Sequence, residues 1–408
     1  MKLERELGVY GATMMGLGSI IGTGVFVSVG IAAGIAGAGV VAAIVAAAAV
    51  ATCNALSSAQ LAANHPVSGG TYEYGYHYLR PWLGFSAGWM FLCAKTASAA
   101  TAALGFAGYL LNVTGQRTGW LVPVSIAAVV ILTAVVLSGI RQSSRVNIAI
   151  VSVTLLSLAA FVLAGLPAVS LRRLQIIAEP LPLLHATALM FVAYTGYGRI
   201  ATLGEEVREP HVTIPRAIIL TLVVSATIYA AVAIVGVGAA GAEALSRAAT
   251  EMAAPLEIAS RTFPIRVDWL VAMGAMTAML GVLLNLVLGL SRVLLAMGRR
   301  GDMPGLFANL SASIVATGVA IAALAAIGSV KTTWTFSAFT VLVYYAITNT
   351  AALRLQADER LYPRWIAWTG LAACLALAFA VEWQVWASGI VLIGVGLIWH
   401  TLRQRWRG

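Results

Sequence analysis

The chain has 408 residues, of which 60% are hydrophobic and only 10% are charged, and its formal net charge is +10. Soluble domains carry about a quarter charged residues, so this composition excludes an ordinary soluble protein. Apolar runs of about 20 residues, the length needed to cross the hydrocarbon core of a bilayer, recur along the whole chain. They predict an all-α polytopic membrane protein.

Twelve apolar segments are predicted to span the membrane. In chain order they cover about residues 8–31, 36–63, 78–112, 119–139, 145–167, 182–204, 212–240, 267–297, 309–328, 332–353, 363–380 and 384–402. The first has no small-residue cleavage site behind a short apolar region, so we expect it to be a retained span and not a signal peptide. A longer connection, residues 241–268, is predicted to contain short surface helices.

The distribution of basic residues predicts the orientation of these spans. If the N-terminus is cytoplasmic, sixteen Lys and Arg residues fall in inside loops and tails, and seven fall outside. This excess is the positive-inside rule, and it places both termini in the cytoplasm of a multi-pass cell-membrane protein. Because topology accounts for the basic balance, no nucleic acid partner is predicted.

The first span contains four glycines within nine residues, in the stretch GLGSIIGTGVF (16–26). Glycine weakens helices, and irregular backbone at membrane depth is tolerated only where it is buried in protein or lines a cavity. The sixth span has a second such interruption, FVAYTGYGRIATLG (191–204). Two broken helices, five spans apart and opposite in direction, indicate an inverted repeat of residues 8–167 and 182–353.

These repeats form a predicted transporter core, residues 1–353, and residues 354–408 add two more spans and a cytoplasmic tail.

A broken helix frees N–H groups that attract a carboxylate and carbonyls that attract an ammonium group. An α-amino acid carries both charges, so the breaks predict its binding site. For Gly16 and for the group Gly34, Gly37 and Gly39, close helix packing is the favoured alternative.

Four motifs, in order, resemble those of a known transporter family. GSIIGTGVF is similar to the first-span signature G-x-I-I-G-(S/T)-G-(I/V)-F, and PVSGGTYEYGYHYLRPWLGFSAGW (66–89) to P-x-x-G-G-x-Y-x-Y followed by G-F-x-x-G-W. The stretches FVAYTGYGRIATLGEEVREPHVTIPRAI (191–218) and LGLSRVLLAMGRRGDMP (288–304) resemble the sixth span with its tail and the end of the eighth. The family is the amino acid–polyamine–organocation (APC) superfamily of amino acid permeases.

The resemblance implies a LeuT-like 5+5 fold with the substrate between spans 1 and 6. The substrate carboxylate would meet the backbone N–H groups of Gly22, Thr23 and Gly24 and the Thr23 hydroxyl. The α-amino group would meet carbonyl groups, and Tyr194 would act as a gate over the substrate, with simple packing of its ring as the alternative. The implied carbonyls are those of Ile20, Val192, Ala193 and Thr195.

The chain departs from the family pattern at the usual coupling devices. Many members have a lysine in the middle of span 5, and by alignment Thr154 holds that place. Hydroxyls of a sodium site on span 8 are also missing, because only Thr277 and Asn285 are polar between residues 276 and 290. The sequence therefore supports neither device outright.

Two cations, Lys95 and Arg199, are predicted to lie within the bilayer, and no carboxylate is. A lysine at the centre of a span is costly and therefore indicates function or a buried partner. Burial disfavours its charged form, so Lys95 could exchange protons as a coupling group. A fixed structural cation and a substrate contact remain alternatives. Arg199 is predicted to be a gate or packing cation paired with Glu205 or Glu206.

The sequence therefore predicts a secondary transporter of amino acids, neutral ones first and acidic ones second. Alternatives are an exchanger or facilitator, a carrier of another small amine or solute, and a sensor that binds without transport. No enzyme activity is predicted, because no nucleophile, acid pair or metal cluster is evident. No cofactor or metal is predicted either.

Overall fold

A computed structural model describes residues 7–65, 69–116, 118–139, 144–175, 179–201 and 207–405. This part of the chain is all helical, and its single β-contact is an isolated bridge between Leu7 and Val207. Its α-helices are α1 (Val9–Ile20), α2 (Val29–Ala36), α3 (Val40–Asn64), α4 (Thr71–Tyr78), α5 (Pro81–Val113), α6 (Leu121–Leu137), α7 (Ser144–Gly165), α8 (Pro180–Tyr194), α9 (Gly198–Ala201), α10 (Pro210–Ala240), α11 (Ala242–Glu251), α12 (Pro255–Ser260), α13 (Asp268–Arg300), α14 (Leu310–Ala325), α15 (Val330–Ala352), α16 (Arg364–Ala378) and α17 (Trp383–Arg405).

Several helices are long and apolar enough to cross a membrane. Six helical segments of the described chain meet both criteria: Val9–Asn64, Pro81–Val113, Arg145–Ala168, Pro210–Ala240, Asp268–Arg300 and Trp383–Arg405. Three shorter apolar helices are α6, α14 and α16. A helix or broken helix coincides with each of the twelve predicted stretches to within a few residues. The chain is a multi-pass helical membrane protein, and the number of crossings stays a prediction.

Proline and glycine mark many helix ends. Pro81 and Pro210 occupy the first position of α5 and α10, where the missing N–H costs no hydrogen bond. Gly301 follows α13 with a φ of 81°, the left-handed conformation that closes a helix at low cost. The connection from α10 to α13 contains the two short helices α11 and α12, as expected from its length.

Both predicted interruptions are present, but they differ in form. After α1, Ile21 is extended (φ −79°, ψ 103°), and the chain resumes as a π-helical turn over Gly24–Ser28. After α8, the backbone only tightens into a 3₁₀ turn over Thr195–Tyr197 before α9 begins. The second interruption is therefore a local change of helical pitch, whereas the first opens the helix.

The two interruptions meet at the centre of the helix bundle. A Cβ on Gly196 would overlap the carbonyl oxygen of Ser19, so the turn after α8 lies directly on the end of α1. Helix α1 also packs against α7 and α10, while α5 packs against α13 and α15. Helix α17 lies at the periphery, against α5 and α15. This arrangement surrounds the broken backbone with five long helices.

Candidate functional site

A small cavity of about 40 Å³ lies where the two interruptions meet. Six of the eight residues predicted to bind substrate line it, and Gly22 and Tyr194 do not. Helices α5, α13 and α15 complete its wall. The lining residues used below are Ile20, Thr23, Gly24, Val192, Ala193 and Thr195 from the interruptions, and Lys95, Ser98, Val282, Leu286 and Trp334 from the surrounding helices.

The first interruption exposes polar groups that have no partner. Gly22, Thr23 and Gly24 donate no backbone hydrogen bond to the described residues, because their N–H groups lie past the end of α1. The Thr23 side chain is 4% exposed, and its hydroxyl is buried without a hydrogen bond in the same part of the chain. Buried polar groups are nearly always satisfied, so these donors are available to hydrogen-bond a bound molecule, and their binding of a carboxylate stays a prediction.

The predicted ammonium-binding carbonyls already accept hydrogen bonds within the protein. The hydroxyl of Tyr229, on α10, donates to Ile20 O at 2.8 Å and to Ala193 O at 3.2 Å. The Thr195 hydroxyl donates to Val192 O at 2.8 Å, and Tyr345 donates to Thr195 O at 3.2 Å. Val192 O also accepts the Thr195 N–H and Thr195 O accepts the Gly198 N–H, so both lone pairs of these two carbonyls are engaged, whereas Ile20 O keeps one for a further donor. Binding of an ammonium group by these carbonyls stays a prediction.

Tyr194 does not line the small cavity. Its side chain is fully buried, its hydroxyl donates to Ile44 O at 3.3 Å, and its ring packs on Tyr229 at a centroid distance of 5.1 Å. In this conformation its ring packs between α3 and α10, and its gating role stays a prediction. The aromatic side chain that lines the small cavity is Trp334, whose indole N–H donates to Leu189 O at 3.1 Å.

Lys95 reaches from α5 to the second interruption. Its ammonium group donates to the Thr195 hydroxyl at 2.9 Å. No carboxylate of the described chain forms an ion pair with it, although such pairs occur elsewhere, as between Lys331 and Glu382 at 2.9 Å. Thr154 bonds within its own helix, to Ile150 O at 2.8 Å. Among the residues that line the small cavity, Lys95 is the one with an ionisable side chain.

A larger cavity of about 170 Å³ leads away from the candidate site. The two cavities share Ser19, Lys95, Thr195, Gly196, Val282 and Leu286. The larger one continues past Tyr345 to Gly69, which lies just before α4, and to Arg292, which lies in the C-terminal third of α13. Arg199 also lines it, but its predicted partners Glu205 and Glu206 fall outside the described residues.

The opposite side of the candidate site is closed by packed helices. Tyr109 donates to Phe26 O at 2.8 Å and accepts the Leu256 N–H at 3.4 Å, which joins α5, the π-helical turn and α12. Glu257, 1% exposed, accepts from Asn112 at 2.6 Å and pairs with an arginine one turn later at 2.9 Å. These contacts hold α5, the π-helical turn and α12 together.

Comparison with known proteins shows which family the chain belongs to. The profile of the family described as "Amino acid permease" matches residues 11–404. An uncharacterized transporter of Mycobacterium tuberculosis is 42% identical over 99% of this chain and 92% of its own length. The methylthioribose transporter of Bacillus subtilis is 26% identical over 99% of this chain and 94% of its own. The branched-chain amino acid permease BcaP of that organism is 27% identical over 74% of this chain and 69% of its own.

The molecule is thus a membrane transporter of small molecules and not an enzyme. It belongs to the amino acid permease family of the APC superfamily, as its four motifs indicated. Sequence reasoning missed Tyr229 and Trp334, each of which joins the site only through tertiary packing. A weak signal for Tyr229 was present, because it is the single tyrosine of the largely apolar α10.

Proposed function

We propose that this permease carries amino acids, neutral ones first, across the cell membrane by alternating access. The observation that carries the proposal is the small cavity at the two interruptions, where the N–H groups of Thr23 and Gly24 and the Thr23 hydroxyl have no hydrogen-bond partner in the described chain. These donors suit a carboxylate, and the neighbouring Ile20 carbonyl has a lone pair left for an ammonium group. The larger cavity is then the route by which substrate leaves the site in this conformation.

The site's charge argues against cationic substrates. Lys95 lines both cavities and Arg292 lines the larger one, whereas no carboxylate of the described chain lines either. A second positive charge on the substrate would be repelled in this low-dielectric setting. A neutral amino acid meets no such penalty, and an acidic one is the second candidate.

A neutral solute that is not an amino acid is the alternative supported by a specific observation. The methylthioribose transporter aligns along almost the whole chain, so its fold accommodates a substrate named without a carboxylate. Thermal-shift screening of the purified protein with amino acids, amines and thio-sugars separates the two. Uptake into sealed proteoliposomes without internal substrate separates net transport from exchange, because an exchanger needs substrate inside as well.

For the architecture we propose a LeuT-like 5+5 inverted repeat of residues 8–167 and 182–353, with twelve spans and both termini in the cytoplasm. The pairing of interruptions between the first and sixth predicted spans supports it, as does the excess of basic residues on one side. The core is then residues 1–353, and α16 and α17 lie outside the repeat.

Cysteine labelling tests this topology. In a background without the three native cysteines, cysteines replacing Arg173 or Arg247 are expected to react with an impermeant thiol reagent from outside the cell. Cysteines replacing Arg145 or Arg300 should react only after the membrane is opened, because the proposed topology puts these residues on the cytoplasmic side. Labelling of all four from one side would contradict the twelve-span arrangement.

Removing the Thr23 hydroxyl tests the substrate site. Thr23→Val keeps the side-chain shape and should weaken substrate affinity by about 10- to 100-fold, since a hydrogen bond to a charged group contributes roughly 1.5–3 kcal/mol. Protein stability should hardly change, because the hydroxyl has no partner to lose. The measurement is the KM for uptake into proteoliposomes together with a thermal unfolding curve.

Thr154→Val is the matched control for Thr23→Val. Thr154 is equally buried, but its hydroxyl bonds to its own helix, so its loss should leave KM unchanged. Equal KM values for wild type and Thr23→Val would show that the Thr23 hydroxyl does not bind the substrate, which would contradict a binding site at the first interruption.

A further inference from the structure

An apolar groove on the periphery of the molecule is separate from the transport pathway. It has a volume of about 250 Å³ and lies between α5, the segment after α13 and α17. Its lining residues are Phe85, Trp89, Met303, Pro304, Val395, Gly396 and Trp399. Both tryptophans use their indole N–H groups elsewhere, on Leu392 O and Asp302 O, so the groove presents only apolar surface.

The groove is open to the surroundings of the molecule. Val395 and Trp399 are 51% and 38% exposed, although they lie on a helix apolar and long enough to span the membrane. The medium beside that helix is lipid, and an empty apolar groove in lipid loses dispersion contacts. An acyl chain is the group that supplies them.

A guanidinium group stands at one end of this groove. Arg403 donates to Met303 O at 3.0 Å, and its guanidinium carbon lies 5.5 Å from the centre of the Trp399 ring. Both contacts are with residues that line the groove. Its Nε is buried without a hydrogen bond, and no carboxylate of the described chain pairs with it. The positive charge at this end therefore has no carboxylate partner among the described residues.

The spacing along α17 fits a lipid molecule. Val395 and Arg403 are eight residues apart on one helix, which corresponds to about 12 Å. Arg403 lies in the last turn of α17, and Val395 lies two turns before it, nearer the middle of the helix. A phosphate at Arg403 would thus send its acyl chain along the groove towards the bilayer interior.

We propose that this groove binds an anionic phospholipid, with the phosphate at Arg403 and an acyl chain along Trp399 and Val395. Basic side chains at the membrane surface attract anionic headgroups, and here the groove adds a specific place for the chain. The site is independent of the transported substrate. Bound lipid would tie α17, which lies outside the proposed repeat, to α5, which lines the transport pathway.

Native mass spectrometry of the purified protein with equal amounts of dioleoyl-phosphatidylglycerol and dioleoyl-phosphatidylcholine tests the proposal. The wild type should retain the anionic lipid about fivefold in preference, the gain expected from one basic side chain. Arg403→Gln should abolish the preference, and Arg403→Lys should restore most of it. Arg405→Gln, two residues along the same turn and exposed, is the matched control and should keep it.

Val395→Trp, which fills the groove, should reduce retention of both lipids. Glycerol phosphate alone should not compete, because the acyl chain supplies part of the binding. Equal retention of the two lipids by the wild type, or equal losses in Arg403→Gln and Arg405→Gln, would overturn the proposal. Competition by glycerol phosphate, or a dimer in place of bound lipid, would overturn it as well. If Arg403→Gln fails to fold, the proposal is tested by the wild-type preference for the anionic lipid and by the loss of lipid retention in Val395→Trp.

Discussion

Gly196→Ala is expected to abolish transport and to lower the stability of the protein. A Cβ at this position would overlap the carbonyl group of Ser19 and lie 2.6 Å from the amide nitrogen of Ile20. These are backbone atoms, so a side-chain rotation cannot relieve the overlap. Overpacking of a close contact costs about 1–3 kcal/mol, and here it would also separate the two interruptions that form the site. Uptake into proteoliposomes and a thermal unfolding curve measure the two effects.

Gly198→Ala is a matched control for that substitution. It lies two residues further along the same interrupted helix, and its added Cβ would meet only the Tyr345 hydroxyl, at 3.2 Å. A flexible side chain can move by the few tenths of an ångström required. We expect Gly198→Ala to retain most of the transport activity. Equal activity in the two variants would show that close contact of the interruptions is not needed.

The helices were predictable because the hydrocarbon core imposes both a length and an apolar composition on each span. The predicted stretch 267–297 became Asp268–Arg300, and 384–402 became Trp383–Arg405. The first interruption was predictable for the complementary reason, since GTG at membrane depth cannot be explained by lipid exposure. The second was harder to specify, because Thr195–Tyr197 keeps a helical pitch and only its glycines mark it.

The wall of the site was less predictable, because contacts between distant helices leave no local pattern. Val282 and Trp334 join the cavity through the packing of α13 and α15, and both are ordinary residues for an apolar helix. Tyr194 shows the same limit for side-chain direction. Its position beside the second interruption was clear from the sequence, but only the packing of α3 and α10 decides where its ring points.

Charge could be located from the sequence, but its partner could not. An intramembrane lysine was evident from its apolar surroundings, and its cost implied a function or a partner. The structure supplies a hydroxyl, that of Thr195, and not a carboxylate of the described chain. A neutral partner leaves the charge of Lys95 uncompensated and keeps a proton-dependent role open to test.

Lys95→Met is expected to abolish accumulation driven by a pH gradient and to spare substrate binding. The lysine lines both cavities, so under the proposed alternating access its surroundings would change as the pathway opens to one side or the other. Burial disfavours the charged form, and a change of burial between states would make the ammonium group release and regain a proton. Coupled to one proton, a gradient of one pH unit supports about tenfold accumulation. Methionine keeps a similar length without a charge, so the ratio of substrate concentrations inside and outside the liposomes should fall to one.

Lys95→Arg should also lose accumulation, because guanidinium stays protonated at the pH values used. Lys331→Met is the control: that lysine is 44% exposed and pairs with Glu382 at the surface, so its loss should leave accumulation unchanged. The measurement is uptake into sodium-free liposomes with an imposed pH gradient, beside a thermal-shift assay of substrate binding. Accumulation that survives in Lys95→Met would place the coupling elsewhere. A wild type that ignores the gradient would make Lys95 a structural cation and favour exchange or facilitated diffusion.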